Sequence, residues 1–320
     1  MSPGAGLRWL DDLGPQKIRP GLSRTRALLA SLGSPQASFR TLLVAGTNGK
    51  GSTAATAAAI LEAAGLRVGL TTSPHLVRVN ERVRLPGGRD VSDEGLDSAL
   101  SLVAAVSGEG PLRPTYFEAL VVAACELFRR ARVEIAVVEV GIGGRLDATN
   151  VLEPEVSAVT NVAADHLETL GPTLEDVARE KAGIFRPGRL ALTTERGGTL
   201  GVLRAEAARV GATLVEVEPS TEWESATPLV GAHQRENVVD ELPHHAPRAG
   251  GRWANRVGRR RLGPRPARVW RVSRGGTHAR RRRLPFCTVR ATFAHAAACG
   301  MSDKRENAMP AAAREGREVR

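Results

Sequence analysis

A glycine-rich segment lies between an apolar run and an alanine-rich run near residue 50, and it limits what this chain can fold into. Residues 41–44 read TLLV, residues 44–53 read VAGTNGKGST, and alanines dominate residues 54–64. This order predicts a buried strand, a tight glycine turn and a helix. The unpaired amides at a helix N-terminus, together with the helix dipole, favour a bound anion and phosphate in particular. The segment therefore predicts a phosphate-binding loop on an α/β scaffold.

Lys50 and the hydroxyl residues after it supply the side chains that such a loop needs. Lys50 would reach the β- and γ-phosphates of a nucleotide, and Ser52 or Thr53 would coordinate Mg²⁺. The segment departs from the common pattern G-x-x-x-x-G-K-[ST], because its first glycine lies three residues before the second and a further glycine separates Lys50 from Ser52. The alternative is a glycine-rich turn with a solvated lysine, which the flanking strand and helix disfavour.

Strand-like and helix-like segments alternate through the first 240 residues. The predicted strands are residues 42–45, 67–71, 82–85, 134–140, 155–160, 190–193 and 213–217. The predicted helices are residues 52–64, 92–106, 117–131, 173–182 and 200–209, with Thr173 as an N-cap. This alternation predicts a mainly parallel sheet with helices on both faces, in which ligands bind at the carboxyl ends of the strands.

The net charge of +11 belongs to the last quarter of the chain. Residues 1–240 carry 25 Lys and Arg against 29 Asp and Glu, whereas residues 241–320 carry 20 against 5. Arg, Ala, Gly and Pro make up 47 of those last 80 residues, without a periodic apolar pattern. Such a composition buries too little apolar surface to offset chain entropy, so we expect a largely disordered tail over residues 241–320.

Composition and cysteine content also bound the class of protein. No run of 18 apolar residues predicts a membrane-spanning helix, and the first residues lack the charged start and apolar block of a signal peptide. Cys125, Cys287 and Cys299 form neither a CxxC pair nor an even disulfide framework. We therefore expect a cytoplasmic protein, in which thiols stay reduced.

Further polar segments follow predicted strands or lie on a helix. TSPHL occupies residues 72–76, Glu139 ends an apolar strand, and His166 follows another strand beside Asp165. A carboxylate at the end of an apolar strand has reason to face a cation, and a neutral imidazole there suits a metal. Lys181 lies on the helix at residues 173–182. The alternatives are a plain Ser-Pro turn, a solvated strand end, a structural histidine and a surface charge pair.

Taken together, these segments resemble the Mur ligase superfamily and, within it, folylpolyglutamate synthase and dihydrofolate synthase. The matching sequences are GTNGKGS at 46–52, TSPHL at 72–76, EVGIGGRLDATN at 139–150, DH at 165–166, EKAGI at 180–184 and GAHQREN at 231–237. The resemblance implies a P-loop-type sheet over residues 1–240, like the Mur ligase central domain, with ATP and Mg²⁺ as cofactors. It also implies a monomer that ligates L-glutamate to dihydropteroate or a reduced folate through an acyl phosphate.

The resemblance assigns roles to individual residues. The implied catalytic residues are Lys50, Glu139, His166 and Lys181, with Lys181 carbamylated into an anion that helps to hold Mg²⁺. The implied metal ligands are Ser52, Ser73, Glu139 and His166. The implied nucleotide contacts are Gly46, Thr47, Asn48, Gly49, Lys50, Gly51, Ser52, Thr53, Gln234 and Asn237. The implied substrate contacts are Ser73, Pro74, His75, Arg82, Arg145 and Asp147.

The resemblance ends near residue 240, where family members continue into a second α/β domain. We expect residues 241–320 to come from a shifted reading frame, because off-frame codons of a GC-rich gene favour Arg, Ala, Gly and Pro. Weak nucleotide binding and turnover near zero would follow from an open site.

Other readings of the chain remain. One is an inactive truncated relative. Another is non-specific nucleic-acid binding through the basic tail, although the chain has no recognised nucleic-acid motif. A third is a Mur ligase of cell-wall synthesis, which the DATN and TSPHL segments disfavour.

Overall fold

The structure is a computed structural model that describes residues 4–14, 18–108 and 110–217. Its strands are β1 (Arg40–Ala45), β2 (Val68–Thr71), β3 (Val83–Leu85), β4 (Arg89–Asp90), β5 (Ile135–Glu139), β6 (Pro154–Val159), β7 (Leu190–Thr193) and β8 (Thr213–Glu216). Its helices are α1 (Ala5–Leu13), α2 (Ser23–Ser31), α3 (Lys50–Ala63), α4 (Asp93–Ser107), α5 (Tyr116–Arg130), α6 (Leu167–Leu170), α7 (Leu174–Ala182) and α8 (Leu200–Val210). Short 3₁₀ turns occupy Pro35–Ser38, Val79–Arg82, Gly110–Leu112 and Ala148–Val151.

The strands of the described region form one sheet in the order β4-β3-β2-β5-β1-β6-β7-β8. The six strands from β2 to β8 in that order run parallel, whereas β3 and β4 add an antiparallel edge. The α/β fold class with a mainly parallel sheet flanked by helices is therefore confirmed.

The central strands are apolar because both of their faces are covered. Leu43 and Val44 of β1 are fully buried, and α5 contributes Ala123 and Phe128 to the same core. Val44 stands opposite Glu139 of β5 and Ala158 of β6, so the three strands end level with one another. The loops that follow them therefore meet at one edge of the sheet, which is where parallel sheets bind ligands.

Helix starts are fixed by side chains that the sequence supplies locally. Thr173 accepts a hydrogen bond from the Asp176 amide, and the Asp176 carboxylate accepts one from the Thr173 amide, which completes a capping box. The predicted N-cap at Thr173 is thus confirmed. Thr115 and Glu118 form an equivalent box at the start of α5.

Two helices at the start of the chain were not predicted from the sequence. The amides of Gly4 and Leu7 donate to the carboxylate of Asp97 at 3.1 and 3.0 Å, so α1 is capped by a residue of α4. A partner about 90 positions away leaves no local signal, and α1 and α2 have only nine residues each. The short α6 and the strand β4 were also missed.

No helix within the described ranges has the length and apolarity needed to cross a membrane. The predicted disordered tail at residues 241–320, the domain boundary at residue 240, and the predicted nucleotide contacts Gln234 and Asn237 lie outside the described residues.

Candidate active site

The glycine-rich segment forms the turn between β1 and α3, as its sequence predicts. Gly49 has a left-handed φ of 79° and immediately precedes the first residue of α3, Lys50. Gly46 has a φ of 152°, and a Cβ added there would lie 1.8 Å from Thr160 Oγ1. The Lys50 ammonium donates to the carbonyl oxygens of Gly46 and Thr47, both at 3.1 Å, and so closes the turn into a ring.

The segment that follows β6 holds this turn in place. The amide of Asn48 donates to Asn161 Oδ1 at 2.9 Å, while Asn161 Nδ2 donates to the Asn48 carbonyl at 3.1 Å. Thr160 Oγ1 donates to the same carbonyl at 2.6 Å. The Thr47 amide donates to the Asn161 carbonyl, and the Ala163 amide donates to Thr47 Oγ1, both at 3.0 Å. The turn is therefore braced by a neighbouring loop.

Glu139 ends β5 and points its carboxylate at the start of α3. Glu139 is only 5% exposed, and its Oε2 accepts a hydrogen bond from the Ser73 amide at 2.7 Å. A Cβ added to Gly51 would lie 3.3 Å from that same oxygen. Burial raises the pKa of Glu139 above its ordinary value, against the opposing effects of the Ser73 amide, Lys50 and Arg82. The structure thus brings Lys50, Gly51, Ser73 and Glu139 together.

The loop that begins at TSPHL is ordered by its own polar residues. The peptide between Ser73 and Pro74 is cis. The Glu81 carboxylate accepts the amides of Leu76, Val77 and Arg78, which lowers the pKa of Glu81. Leu76 and Val77 form the tip of the loop and are 92% and 83% exposed.

The glycine-rich loop after β5 uses two predicted substrate contacts for its own shape. Asp147 is buried, and its carboxylate accepts the amides of Ile142 and Thr149 and the Thr149 hydroxyl. Arg145 donates to the Glu180 carboxylate at 3.2 Å on α7. These contacts fix the loop, and substrate contacts of Arg145 and Asp147 stay predictions.

Lys181 of α7 is buried. The alternative prediction, in which Lys181 is part of a charge pair at the surface, is therefore wrong. The residue is only 3% exposed, and the described residues provide no hydrogen-bond or ion-pair partner for its ammonium. Burial, and then the charge of Lys50, lower the pKa of Lys181 to about 8, while Asp165 acts in the opposite direction. About a tenth of the amine is therefore neutral at pH 7, far more than for a lysine with the ordinary pKa of 10.5.

His166 lies at the turn into α6 with a left-handed φ of 50°. Its ring nitrogens lie 3.7 Å from Asp165 and 3.8 Å from Glu168. Asp165 connects it electrostatically to Lys181, but no described contact joins His166 to Glu139. Its role as a metal ligand remains a prediction.

Some residues at the site had no predicted role. Asn161 follows the predicted strand at 155–160, and its polar side chain gives no indication that it binds a turn over 100 positions earlier in the chain. Tyr116 lies under the Arg82 guanidinium, a contact that no local pattern indicates. Glu195 accepts the Val162 amide at 2.7 Å and so supports the loop that carries Asn161.

Comparison with known proteins gives a consistent result. The family model described as "Mur ligase middle domain" matches residues 44–193. The dihydrofolate synthase/folylpolyglutamate synthase of Escherichia coli K12 is 42% identical over 189 residues, which are 59% of this chain and 44% of that protein. The protein of the same name from Bacillus subtilis 168 is 36% identical over 250 residues, or 69% of this chain and 58% of that protein. This chain therefore spans about half the length of these relatives.

Solved structures agree with the sequence relatives. A bifunctional folylpolyglutamate synthase/dihydrofolate synthase from Yersinia pestis, complexed with AMPPNP and a Mn ion, matches with a TM-score of 0.65 and 35% identity. The match covers 76% of this chain and 64% of that one. The apo form of the L. casei enzyme FPGS matches with a TM-score of 0.68 and 32% identity over 75% of this chain and 65% of that one.

Proposed function

Because this chain carries a Mur ligase middle domain and is a homologue of dihydrofolate and folylpolyglutamate synthases, we propose that it is an ATP-dependent ligase of the folate branch. It joins L-glutamate to dihydropteroate or to a reduced folate. The observation that carries the proposal is the placement of the Glu139 carboxylate against Gly51 and beside Lys50, at the start of α3. The relatives' structures with AMPPNP, AMPPCP and ADP support nucleotide binding by this chain.

The reaction proceeds in two transfers. A carboxylate oxygen of the pteroate or folate attacks the γ-phosphorus of ATP, and ADP leaves with the electrons of the broken P–O bond. The amine of glutamate then attacks the acyl carbon, loses a proton, and expels inorganic phosphate to form the amide. The chain needs no nucleophilic side chain for this, so its task is to position the reactants and neutralise charge. Lys50 and the turn amides serve the phosphates.

Glu139 fits a ligand of Mg²⁺. Its carboxylate is buried and forms no ion pair with any described residue, and Mg²⁺ is commonly held by one or two carboxylates plus phosphate oxygens and water. The described residues contain no group of three His, Cys, Asp or Glu side chains that would hold a metal unaided, so the nucleotide would complete the coordination. When bound, Mg²⁺ supplies neutralisation of the phosphate charge. Ser52 and Ser73 are further ligands in this proposal, and His166 serves a second ion.

Lys181 is proposed to act as a carbamate. The ammonium first loses a proton, and the neutral amine then attacks CO₂, forms an N–C bond and releases a second proton, which leaves an anionic carbamate. The lowered pKa of Lys181 favours this reaction, because only the neutral amine is a nucleophile. Asp165 and His166 lie on the adjoining loop, so a carbamate here would be near the proposed second metal. Mass spectrometry and ¹³C NMR of protein kept in ¹³C-bicarbonate would detect it.

The partners in this proposal are ATP, L-glutamate and a pteroate or folate, and we propose a cytoplasmic monomer because ATP and folates are supplied there. The domain proposal places the nucleotide-binding unit within residues 1–240, with Gln234 and Asn237 as additional nucleotide contacts.

The test uses the full chain. ADP release would be measured with Mg·ATP, dihydropteroate and L-glutamate, with single omissions and with a nucleotide-linked muropeptide in place of dihydropteroate. Titration with Mg·ATP runs in parallel on the natural protein, Lys50→Ala and the exposed control Arg89→Gln. The proposal expects weak nucleotide binding that Lys50→Ala removes and Arg89→Gln keeps, and slow ADP release that requires the pteroate, because the open site expected from the sequence impairs turnover. Nucleotide binding unaffected by Lys50→Ala, or turnover with the muropeptide alone, would contradict it. Binding without turnover would identify the chain as a nucleotide-binding relative.

A further inference from the structure

The guanidinium of Arg82 is held on three sides. Its Nε donates to Nδ1 of His75 at 2.9 Å, which requires that ring nitrogen to be unprotonated. Its Cζ lies 5.7 Å from the centre of the Tyr116 ring, within the range of a cation–π contact. Glu139 lies near enough to stabilise its charge. Arg82 is therefore fixed in orientation before any ligand binds.

None of these three contacts uses a hydrogen bond from the terminal amino groups of Arg82. Among the described residues, neither of them donates a hydrogen bond, although the side chain is partly buried. Burial lowers the pKa of Arg82, which reflects the cost of removing the guanidinium from water without a full set of acceptors. A guanidinium presents its donors as a planar fork that matches the two oxygens of a carboxylate.

The surroundings of the Arg82 fork indicate what kind of anion it faces. Arg82 and Glu139 both line a small cavity of about 20 Å³, whose lining also includes the apolar side chains of Phe117, Leu120 and Val121. The phosphate-binding turn approaches Glu139 from α3, whereas Arg82 approaches it from the loop that follows β2. Two anions, one at the turn and one at Arg82, can therefore be held beside Glu139 at the same time, as the proposed transfer of a phosphoryl group to a carboxylate requires.

We propose that the Arg82 fork binds the carboxylate that the enzyme activates, and that His75 and Tyr116 are positioning residues that aim it. This inference rests on the proposed function and deepens it, because it assigns selection of the free acid to one side chain. A carboxylate held by Arg82 would lie beside Glu139 and within reach of the nucleotide site. A substrate whose carboxyl group is already an amide would lose both charge-assisted hydrogen bonds.

The experiment compares pteroate with pteroamide, which differ only at the group that Arg82 is proposed to bind. Binding of each to the full chain is measured by calorimetry for the natural protein, Arg82→Gln, Arg82→Lys and Arg84→Gln. Arg84 is a matched control, since it lies two positions along on β3 and pairs with Asp90 at the surface. We expect the natural protein to prefer pteroate about ten- to hundredfold, the range for hydrogen bonds between charged groups. Arg82→Gln abolishes the preference and leaves pteroamide binding unchanged, Arg82→Lys keeps part of it, and Arg84→Gln keeps all of it.

Several results would overturn the assignment. These are the absence of pteroate binding, an equal affinity for the two ligands in the natural protein, or an undiminished preference in Arg82→Gln. If Arg82→Gln does not fold, an undiminished preference in Arg82→Lys decides against it. A parallel titration with ATP and ADP covers the other anion: selective loss of ATP binding in Arg82→Gln would place the fork on the γ-phosphate instead. A preference for pteroate without any nucleotide binding would uphold Arg82 and reject the ligase.

Discussion

The side-chain amide of Asn161 pairs with the backbone of Asn48, accepting from its amide at 2.9 Å and donating to its carbonyl at 3.1 Å. The two residues are 113 positions apart and belong to the turns that follow adjacent parallel strands. The pairing fixes a peptide in the middle of the glycine-rich turn without using the Lys50 ammonium. The shape of the turn is therefore set by β6 as well as by its own glycines.

Replacing Asn161 with Ala tests this relationship. The change removes two hydrogen bonds that hold the turn, each contributing about 1 kcal/mol net. We expect ADP affinity to fall roughly tenfold, because the turn must be ordered by the ligand, and the thermal midpoint to fall by several degrees. Calorimetry with ADP measures this, with the exposed Glu168→Gln as a control variant. Unchanged affinity in Asn161→Ala would mean that the turn keeps its shape without the pairing.

Gly46→Ala is expected to destabilise the protein. The new Cβ would lie 1.8 Å from Thr160 Oγ1, and the φ of 152° is unfavourable for any side chain. We expect a loss of about 1–3 kcal/mol in the free energy of unfolding, measured by urea denaturation. The double variant Gly46→Ala/Thr160→Ala removes the hydroxyl and should recover part of that loss. No recovery would assign the whole effect to backbone strain.

Lys181 should make stability depend on pH in CO₂-free buffer. The pKa of Lys181 falls from its ordinary 10.5 to about 8 in the folded chain, so between these values the unfolded chain binds a proton that the folded chain has released. Stability therefore rises with pH across this window, whereas below pH 8 the full destabilising effect is present, roughly 3 kcal/mol from the size of the shift.

Lys181→Met removes the titrating group and keeps the volume. We expect this variant to be more stable than the natural protein at pH 7 and to lose the rise between pH 8 and pH 10. Urea denaturation at several pH values measures both effects. Parallel pH profiles for the two proteins would show that Lys181 is solvated in the folded state.

Glu139→Gln separates metal binding from folding. Because burial raises the pKa of Glu139, its ionised form is unfavourable in the folded chain without a cation, so the neutral amide should not reduce stability. We expect Mg²⁺ to strengthen ATP binding at least tenfold in the natural protein and to have little effect in Glu139→Gln. Titrations with ATP in Mg²⁺ and in EDTA measure this. An equal effect of Mg²⁺ in both proteins would remove Glu139 from the metal site.

Local patterns predicted most of the sheet and the helices α3, α4, α5, α7 and α8 to within about two residues of the observed bounds. These elements carry strong apolar periodicity or clear caps such as Thr173. The same patterns placed Lys50 in the turn that follows β1 and Glu139 at the end of β5, and parallel pairing of β1 with β5 brings the turn and that strand end together. The nearness of the two side chains thus follows from topology that the sequence does predict.

What the sequence did not predict depends on contacts between distant segments. Asp97 caps α1, Asn161 braces Asn48, and Tyr116 lies under Arg82. In each case, the sequence near either residue does not indicate which residue it contacts. The sequence also did not predict that Asp147 binds amides of its own loop. A carboxylate buried in its loop and one that faces a substrate can occupy the same position in the sequence. Such pairings depend on chain crossings that one sequence does not specify.

The Glu81 carboxylate closes the 72–82 loop on itself by accepting three of its amides, so the loop keeps its form without help from the side chains at its tip. The side chains of Leu76 and Val77 are therefore not needed to hold the loop in shape. Any residue except proline, which would remove an amide that Glu81 binds, should therefore be tolerated at these two positions, so the most exposed part of the loop can vary in sequence while the fold stays the same.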